Sequence, residues 1–345
     1  MKKILLVTEY LNPPYDEGIK KTVFNLFEYL DENYHLRVIC RYGFEKENVN
    51  VIGTNRLFIS RKIKHIISNF SPEILIYFPF ASMTFASYLR FFILKKYSKN
   101  AKSIIFALQP KKMKNWQERI VNFIKPSVAL SPSPQLIENW DKLGWKSKFL
   151  PLYTDLEKFV LLPTSQSKSE LRKRYNIPTN KYVISHMGHL NEGRNLESLI
   201  PLQNMGYQIV IVGSSSTPKD ALGSDNLKQK LLDSGIIILN KYIEKIEEIY
   251  QLSDLYVFPV VADCSSIGLP LSILEARACG IPVLTTKFGS VEGFLSDDFG
   301  NIIFEDSDNF VDVVAKIKNK KKNTSTNVDR MNALYFEIIN SEIDK

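Results

Sequence analysis

S-S-I-G-L-P-L-S-I-L-E-A-R-A-C-G-I-P-V-L, residues 265–284, follows a buried strand at 256–261 and runs from a polar loop into a short helix. Gly268 lets the backbone approach a ligand closely. Pro270 suits the first helical position, where no amide is needed. The helix spans 271–279 and is closed by Gly280 and Pro282. Free amides at its start, with the positive end of the helix dipole, would stabilise a diphosphate. Glu275, about one turn in, is placed to accept from two neighbouring sugar hydroxyls, as the acidic residue of dinucleotide folds does with ribose. The competing reading is a strand–turn–helix with an exposed glutamate that binds nothing.

The same alternation extends outward. Strand candidates are 4–7, 36–40, 51–52, 74–78, 104–107 and 128–131, then 182–187, 208–212, 236–239, 255–260, 282–285 and 301–304. The segments between them have helical spacing; Val23, Leu26, Phe27 and Leu30 would share one face. Apolar strands between helices imply parallel sheets covered on both sides. The expectation is an α/β chain of two doubly wound, Rossmann-like domains facing across a cleft, with ligands at the carboxyl ends of the strands. Its parts are residues 1–160, residues 161–327, and a final helix over 328–345 packing back on the N-terminal domain. The polar stretch 163–169 is a linker candidate, and 316–327 is a solvated connection.

Length agrees, since 345 residues suit two domains. Three scattered cysteines, Cys40, Cys264 and Cys279, disfavour a disulfide framework or a zinc site and suit a reducing cytosol. The start, Met1-Lys2-Lys3 and I-L-L-V, is too short in its apolar run for a signal peptide and reads as a first strand. Residues 74–94 are the most membrane-like run, but Pro79, several hydroxyls and Arg90 make a strand and helix the better reading. Residues 1–150 hold 24 Lys and Arg against 12 Asp and Glu, while the rest of the chain is net acidic. Clusters at 61–64, 95–102 and 111–114 read either as solvated helix faces or as a patch for anionic lipid headgroups or an anionic acceptor. No nucleic-acid motif accompanies them.

Residues 268–283 resemble the signature of the family-4 retaining glycosyltransferases. That likeness implies the two-domain GT-B fold, an acceptor-side N-terminal domain and a C-terminal domain that binds a nucleotide-diphosphate sugar as donor substrate, with no cofactor and no metal. Other segments are similar. Residues 188–195, G-H-L-N-E-G-R-N, resemble the family's diphosphate loop, with Arg194 keeping its second cation and His189 standing at the first. Residues 151–159 resemble the domain crossover, with Asp155 matching, and Gly18 remains of a glycine-rich loop into the first helix. The resemblance assigns Arg194 and Glu275 catalytic roles. It assigns donor contacts to Gly18, His189, Arg194, Ser265, Ser266, Gly268, Leu269, Pro270 and Glu275.

Three departures bear on activity. Ile267 occupies the place of the first of the family's two glutamates, so a charged hydrogen bond worth about 1.5–3 kcal/mol is lost or supplied by Ser265, Ser266 or Asp263. Residues 105–110 lack the histidine that many members place beside the donor sugar, and Gln109 cannot relay a proton. Glu17 and His189 replace a glycine and a cation. Transfer of this kind is argued to rest on electrostatic stabilisation of the leaving diphosphate, so these changes leave the chemistry available.

The resemblance implies transfer of a sugar to a glycan or lipid-linked acceptor, and the basic N-terminal half adds the expectation of a cytoplasmic protein peripheral at the inner membrane face. The alternatives are a non-catalytic GT-B protein that binds nucleotide or a partner, and another GT-B enzyme such as an epimerase or phosphorylase. Asp306-Ser307-Asp308 reads as a solvated turn rather than a metal site. Residues 212–216 and 242–243 either flank the nucleotide or are plain loops.

Overall fold

The computed structural model describes residues 1–80, 82–162, 165–213, 221–240, 242–261, 266–295, 302–318 and 328–345. The chain divides into two compact units, Met1–Leu152 with Leu334–Lys345, and Tyr153–Ala333.

The N-terminal unit is built on β1 (Lys3–Thr8), β2 (His35–Cys40), β3 (Val49–Val51), β4 (Ile74–Phe78), β5 (Lys102–Phe106), β6 (Val128–Ser131) and β7 (Ser147–Phe149). All pair in parallel, in the order β3-β2-β1-β4-β5-β6-β7. Every residue of β4 and β6 is buried, which is why these strands read as unbroken apolar runs. The helix Gly18–Asn33 buries Val23, Leu26, Phe27 and Leu30, the face its spacing predicts. The membrane-like run resolves into β4 and the helix Phe85–Tyr97. Among the described residues no helix is long and apolar enough to cross a membrane.

The C-terminal unit is built on β8 (Val183–Gly188), β9 (Gln208–Gly213), β10 (Ile237–Leu239), β11 (Leu255–Phe258), β12 (Val283–Thr285) and β13 (Ile302–Phe304). Its parallel order is β10-β9-β8-β11-β12-β13. Strand order reverses between β1 and β4 in the first unit and between β8 and β11 in the second. In open parallel sheets that reversal leaves a crevice at the carboxyl ends of the strands.

Two readings of the sequence need correction. The stretch 163–169 is not simply a linker: its described part opens the helix Ser165–Arg174. That helix is held by Lys168 and Arg172, which pair with Asp254 at 2.7 and 2.6 Å. β7 is absent from the strand candidates; its residues Ser147, Lys148 and Phe149 are half-buried at a sheet edge and present no apolar run. Asn301, residues 319–327 of the solvated connection, and Cys264 lie outside the described residues.

The last helix, Val328–Asp344, begins in the second unit and ends in the first. In the second unit Asn332 Nδ2 donates to the Thr154 carbonyl at 2.7 Å, and Asn332 Oδ1 accepts from the Thr154 amide at 3.0 Å. In the first unit the buried Glu342 carboxylate pairs with Lys102 at 3.1 Å and also with Lys148.

Candidate donor site

The site grows from the β8/β11 reversal. β8 ends at Gly188, and the chain then makes a single 3-10 turn, Glu192–Arg194, closed by Asn195 in the left-handed region. This turn folds Arg194 back beneath the strand end, where it is buried and its guanidinium lies 5.4 Å from the Phe258 ring centroid. Gly188 makes the fit. A Cβ there would stand 2.9 Å from Arg194 Nη1 and 3.4 Å from His186 Nε2.

His186 is fully buried, with Nδ1 2.9 Å from the Val257 carbonyl. A carbonyl only accepts, so Nδ1 carries the proton and the neutral tautomer is set. Burial, reinforced by the Arg194 charge, lowers its pKa to about 3. The ring stacks on Tyr256 with centroids 6.3 Å apart. Burial also raises the Tyr256 phenol; the Ser272 hydroxyl, the Arg194 charge and the Met187 backbone act against that rise, and Glu275 adds to it. One buried tyrosine thus has Arg194, Ser272 and Glu275 around it.

The helix Leu271–Ala278 supplies the last two. Pro270 is its N-cap rather than its first helical residue, and its ring offers no side-chain cap to the first-turn amides. Glu275 is 3% exposed, and its Oε2 accepts from the Tyr250 hydroxyl at 2.6 Å. Phe159 packs edge-on against Tyr250 at 5.9 Å. The segment holding Phe159 turns on Asp155, whose Oδ1 accepts from the amides of Glu157 and Lys158 at 2.9 and 3.1 Å. Asp155 therefore shapes the crossover.

Ahead of that helix, Ser266, Ile267, Leu269 and Pro270 are all buried. The Gly268 carbonyl accepts from the Ser290 amide at 2.8 Å and from its hydroxyl at 2.9 Å. Gly289 makes this close approach, with φ at +55° and room for no Cβ, since one would overlap the Gly268 carbonyl oxygen. The loop after β12 is thereby locked to the loop before the helix.

Of the expected donor residues, Arg194, Glu275, Gly268, Leu269, Pro270 and Ser266 fall in this one region, with His189 half-buried in the loop after β8. Ser265 lies outside the described residues, as do Asp263 and residues 214–216. Gly18 belongs to the N-terminal unit, where it opens the helix Gly18–Asn33 and its carbonyl accepts from Thr22 Oγ1 at 2.7 Å. Sequence reading misses Tyr250, Tyr256, Gly289 and the part played by His186. A glycine-serine pair shortly after a strand is the available signal for Gly289; nothing in the spacing marks the aromatics. Asp306 and Asp308 flank and join an exposed 3-10 turn, Ser307–Asn309.

The N-terminal unit has its own polar centre at the β1/β4 reversal. Glu9, one residue past β1, accepts from Tyr77 Oη at 3.1 Å and from the Phe80 amide at 2.9 Å, and pairs with Arg90. Burial raises the Glu9 pKa, against the pull of Arg90. The arginine that interrupts the membrane-like run is thus the partner of a buried acid.

Residues 193–319 match the glycosyl transferases group 1 family. That domain covers the Gly268 loop, the Glu275 helix and the end of the turn that carries Arg194. Two curated relatives carry related sequences. One is TuaC of Bacillus subtilis (strain 168), named as a putative teichuronic acid biosynthesis glycosyltransferase; it is 27% identical over 168 residues, 48% of this chain and 40% of its own. The other is the UDP-Gal:alpha-D-GlcNAc-diphosphoundecaprenol alpha-1,3-galactosyltransferase of Escherichia coli, 26% identical over 195 residues, 51% of this chain and 46% of its own. The chain spans less than half the length of these curated relatives in the matched regions. Anabaena HepE, solved with UDP-glucose, superposes with a TM-score of 0.75 over 100% of this chain and 98% of its own, at 15% identity. Two doubly wound parallel domains in this order are the GT-B fold.

Proposed function

We propose that the protein transfers a sugar from a nucleotide-diphosphate sugar to a glycan or lipid-linked acceptor. The observation that carries this is the burial of Arg194, packed against Gly188 and Phe258, and of Glu275, bonded to Tyr250, beside the sheet's reversal point. A cation held by packing rather than by solvent is pre-organised for a diphosphate. The first-turn amides of Leu271–Ala278 offer further donors, and Glu275 is fixed by Tyr250 for the ribose hydroxyls. The leaving diphosphate, stabilised by these groups, would take the acceptor's proton, which supports transfer with retention and without a metal. HepE, crystallised with UDP-glucose, and the Escherichia coli relative, named for UDP-Gal and a diphosphoundecaprenol acceptor, favour a UDP-sugar donor and a lipid-linked acceptor. On this reading the protein works in the cytoplasm, peripheral at the inner membrane face.

Ile267, buried at 7% exposure, supplies no acceptor for the sugar ring where the family pattern has a carboxylate. Sugar preference would then rest on Ser265, Ser266 and the loop after β12. The test is a panel of nucleotide sugars, read by calorimetric binding and by release of nucleoside diphosphate, with Arg194→Ala alongside. Binding and turnover that Arg194→Ala abolishes are the expected result. Binding with no turnover for any donor or lipid-linked acceptor would favour the non-catalytic alternative. No binding at all would remove the donor site.

A further inference from the structure

We propose that the N-terminal unit docks on an anionic bilayer through the helix Asn115–Val121, the turn after it and the neighbouring end of the helix Phe85–Tyr97. Val121 and Ile124 are buried in the core and pin this segment from inside. Its outer side is unusual. Phe123 is 85% exposed, Trp116 53% and Ile120 41%, with Phe92 also exposed on the adjoining helix. The two helices touch through Phe85 and Trp116, ring centroids 5.2 Å apart, and Lys95 Nζ donates to the Lys125 carbonyl. Lys96 lies over the Phe92 ring at 4.4 Å.

Around these apolar groups the charge has one sign. Residues 82–137 contain ten Lys and Arg, of which Arg90 and Lys102 pair with Glu9 and Glu342, and a single acid, Glu118. Lys111, Lys112, Lys114, Arg119 and Lys125 are exposed, and none of them is in an ion pair among the described residues. Water satisfies the lysines but leaves Phe123 and Trp116 uncovered. A duplex phosphodiester backbone would meet the cations and still leave the apolar tips wet, since its bases are already stacked. An anionic bilayer surface meets both, with headgroups for the cations and the acyl boundary for the aromatics. The bilayer is the partner this chemistry fits.

This deepens the transferase reading by naming the surface on which a lipid-linked acceptor would be presented. It is read by binding alone, so transfer without vesicle binding, or vesicle binding without transfer, separates the two. The full chain is mixed with vesicles of phosphatidylcholine, or of phosphatidylcholine with phosphatidylglycerol, and sedimented. Trp140 and Trp145 are buried, so a change in tryptophan emission reports Trp116. The expected result is binding to anionic vesicles only, a blue shift, and quenching by nitroxide-labelled lipid. Phe123→Ser and the triple change Lys111→Glu, Lys112→Glu, Lys114→Glu should each weaken binding, the triple change by more than about tenfold, with unaltered circular dichroism and melting.

Absence of vesicle binding, or binding with no change at Trp116, would overturn the proposal. So would Phe123→Ser with unchanged affinity. A chain that ignores vesicles yet binds an acidic polypeptide would assign the face to a protein partner instead.

Discussion

The Tyr250 hydroxyl donates to Oε2 of Glu275 at 2.6 Å, with both side chains buried. Burial, and then the carboxylate itself, push the Tyr250 phenol far up, so it remains a donor across the working pH range. Tyr250→Phe leaves a buried acceptor short of a partner and should lower unfolding free energy by about 1–3 kcal/mol. Urea denaturation measures that loss. Calorimetry with UDP should show weaker binding in the same variant; unchanged affinity would mean the pair serves the fold alone.

Gly188→Ala places a methyl 2.9 Å from Arg194 Nη1. The guanidinium must then move, so nucleotide binding should weaken by about tenfold or more, as for loss of a charged hydrogen bond. Arg194→Ala should match or exceed it. If Gly188→Ala binds UDP as the parent does, the packed position of Arg194 is not the one that matters.

Gly289→Ala tests the lock between the two loops. It forces a Cβ onto the Gly268 oxygen at a positive φ, and strain of this kind costs about 1–3 kcal/mol. Ser290→Ala removes only the hydroxyl donor and keeps the amide, so its effect should be smaller. Melting temperature and UDP affinity should rank the two in that order.

Much of this is legible in the sequence, for identifiable reasons. β4 and β6 can be read to the residue because a central parallel strand is apolar on both faces. The Leu271–Ala278 helix announces itself through Pro270 before it and Gly280 after it, where a left-handed φ of +71° ends the turn. Ser165–Arg174 escapes because ionic contacts to Asp254, not an apolar stripe, hold it. Arg194 and Glu275 can be named from motif residues, but Tyr256, which packs against His186 and Tyr250, has no local signature. Glu9 and Arg90, 81 positions apart, meet only because their elements adjoin at the sheet's reversal.

Acid should expose the Glu342 clasp. Burial alone would raise this carboxyl, but Lys148 and Lys102 outweigh it and hold the pKa at about 2, against an ordinary 4.5. A depressed folded-state value adds stability above the unfolded value and loses it as pH falls through the folded one. The stability difference between the parent and Glu342→Gln should therefore be full above about pH 4.5 and close toward about pH 2. Denaturant midpoints of the two proteins across that range provide the measurement; a constant gap would contradict the clasp.

Because Leu334–Lys345 belongs to the same compact unit as Met1–Leu152, the first half of the chain lacks one of its own parts while it is being synthesised. The ribosome must make all of Tyr153–Ala333 before the residues carrying Glu342 emerge to meet Lys102 and Lys148. Since Val328–Ala333 of the second unit and Leu334–Asp344 of the first share one helix, the two units receive their last parts almost together, although most of the first is made long before.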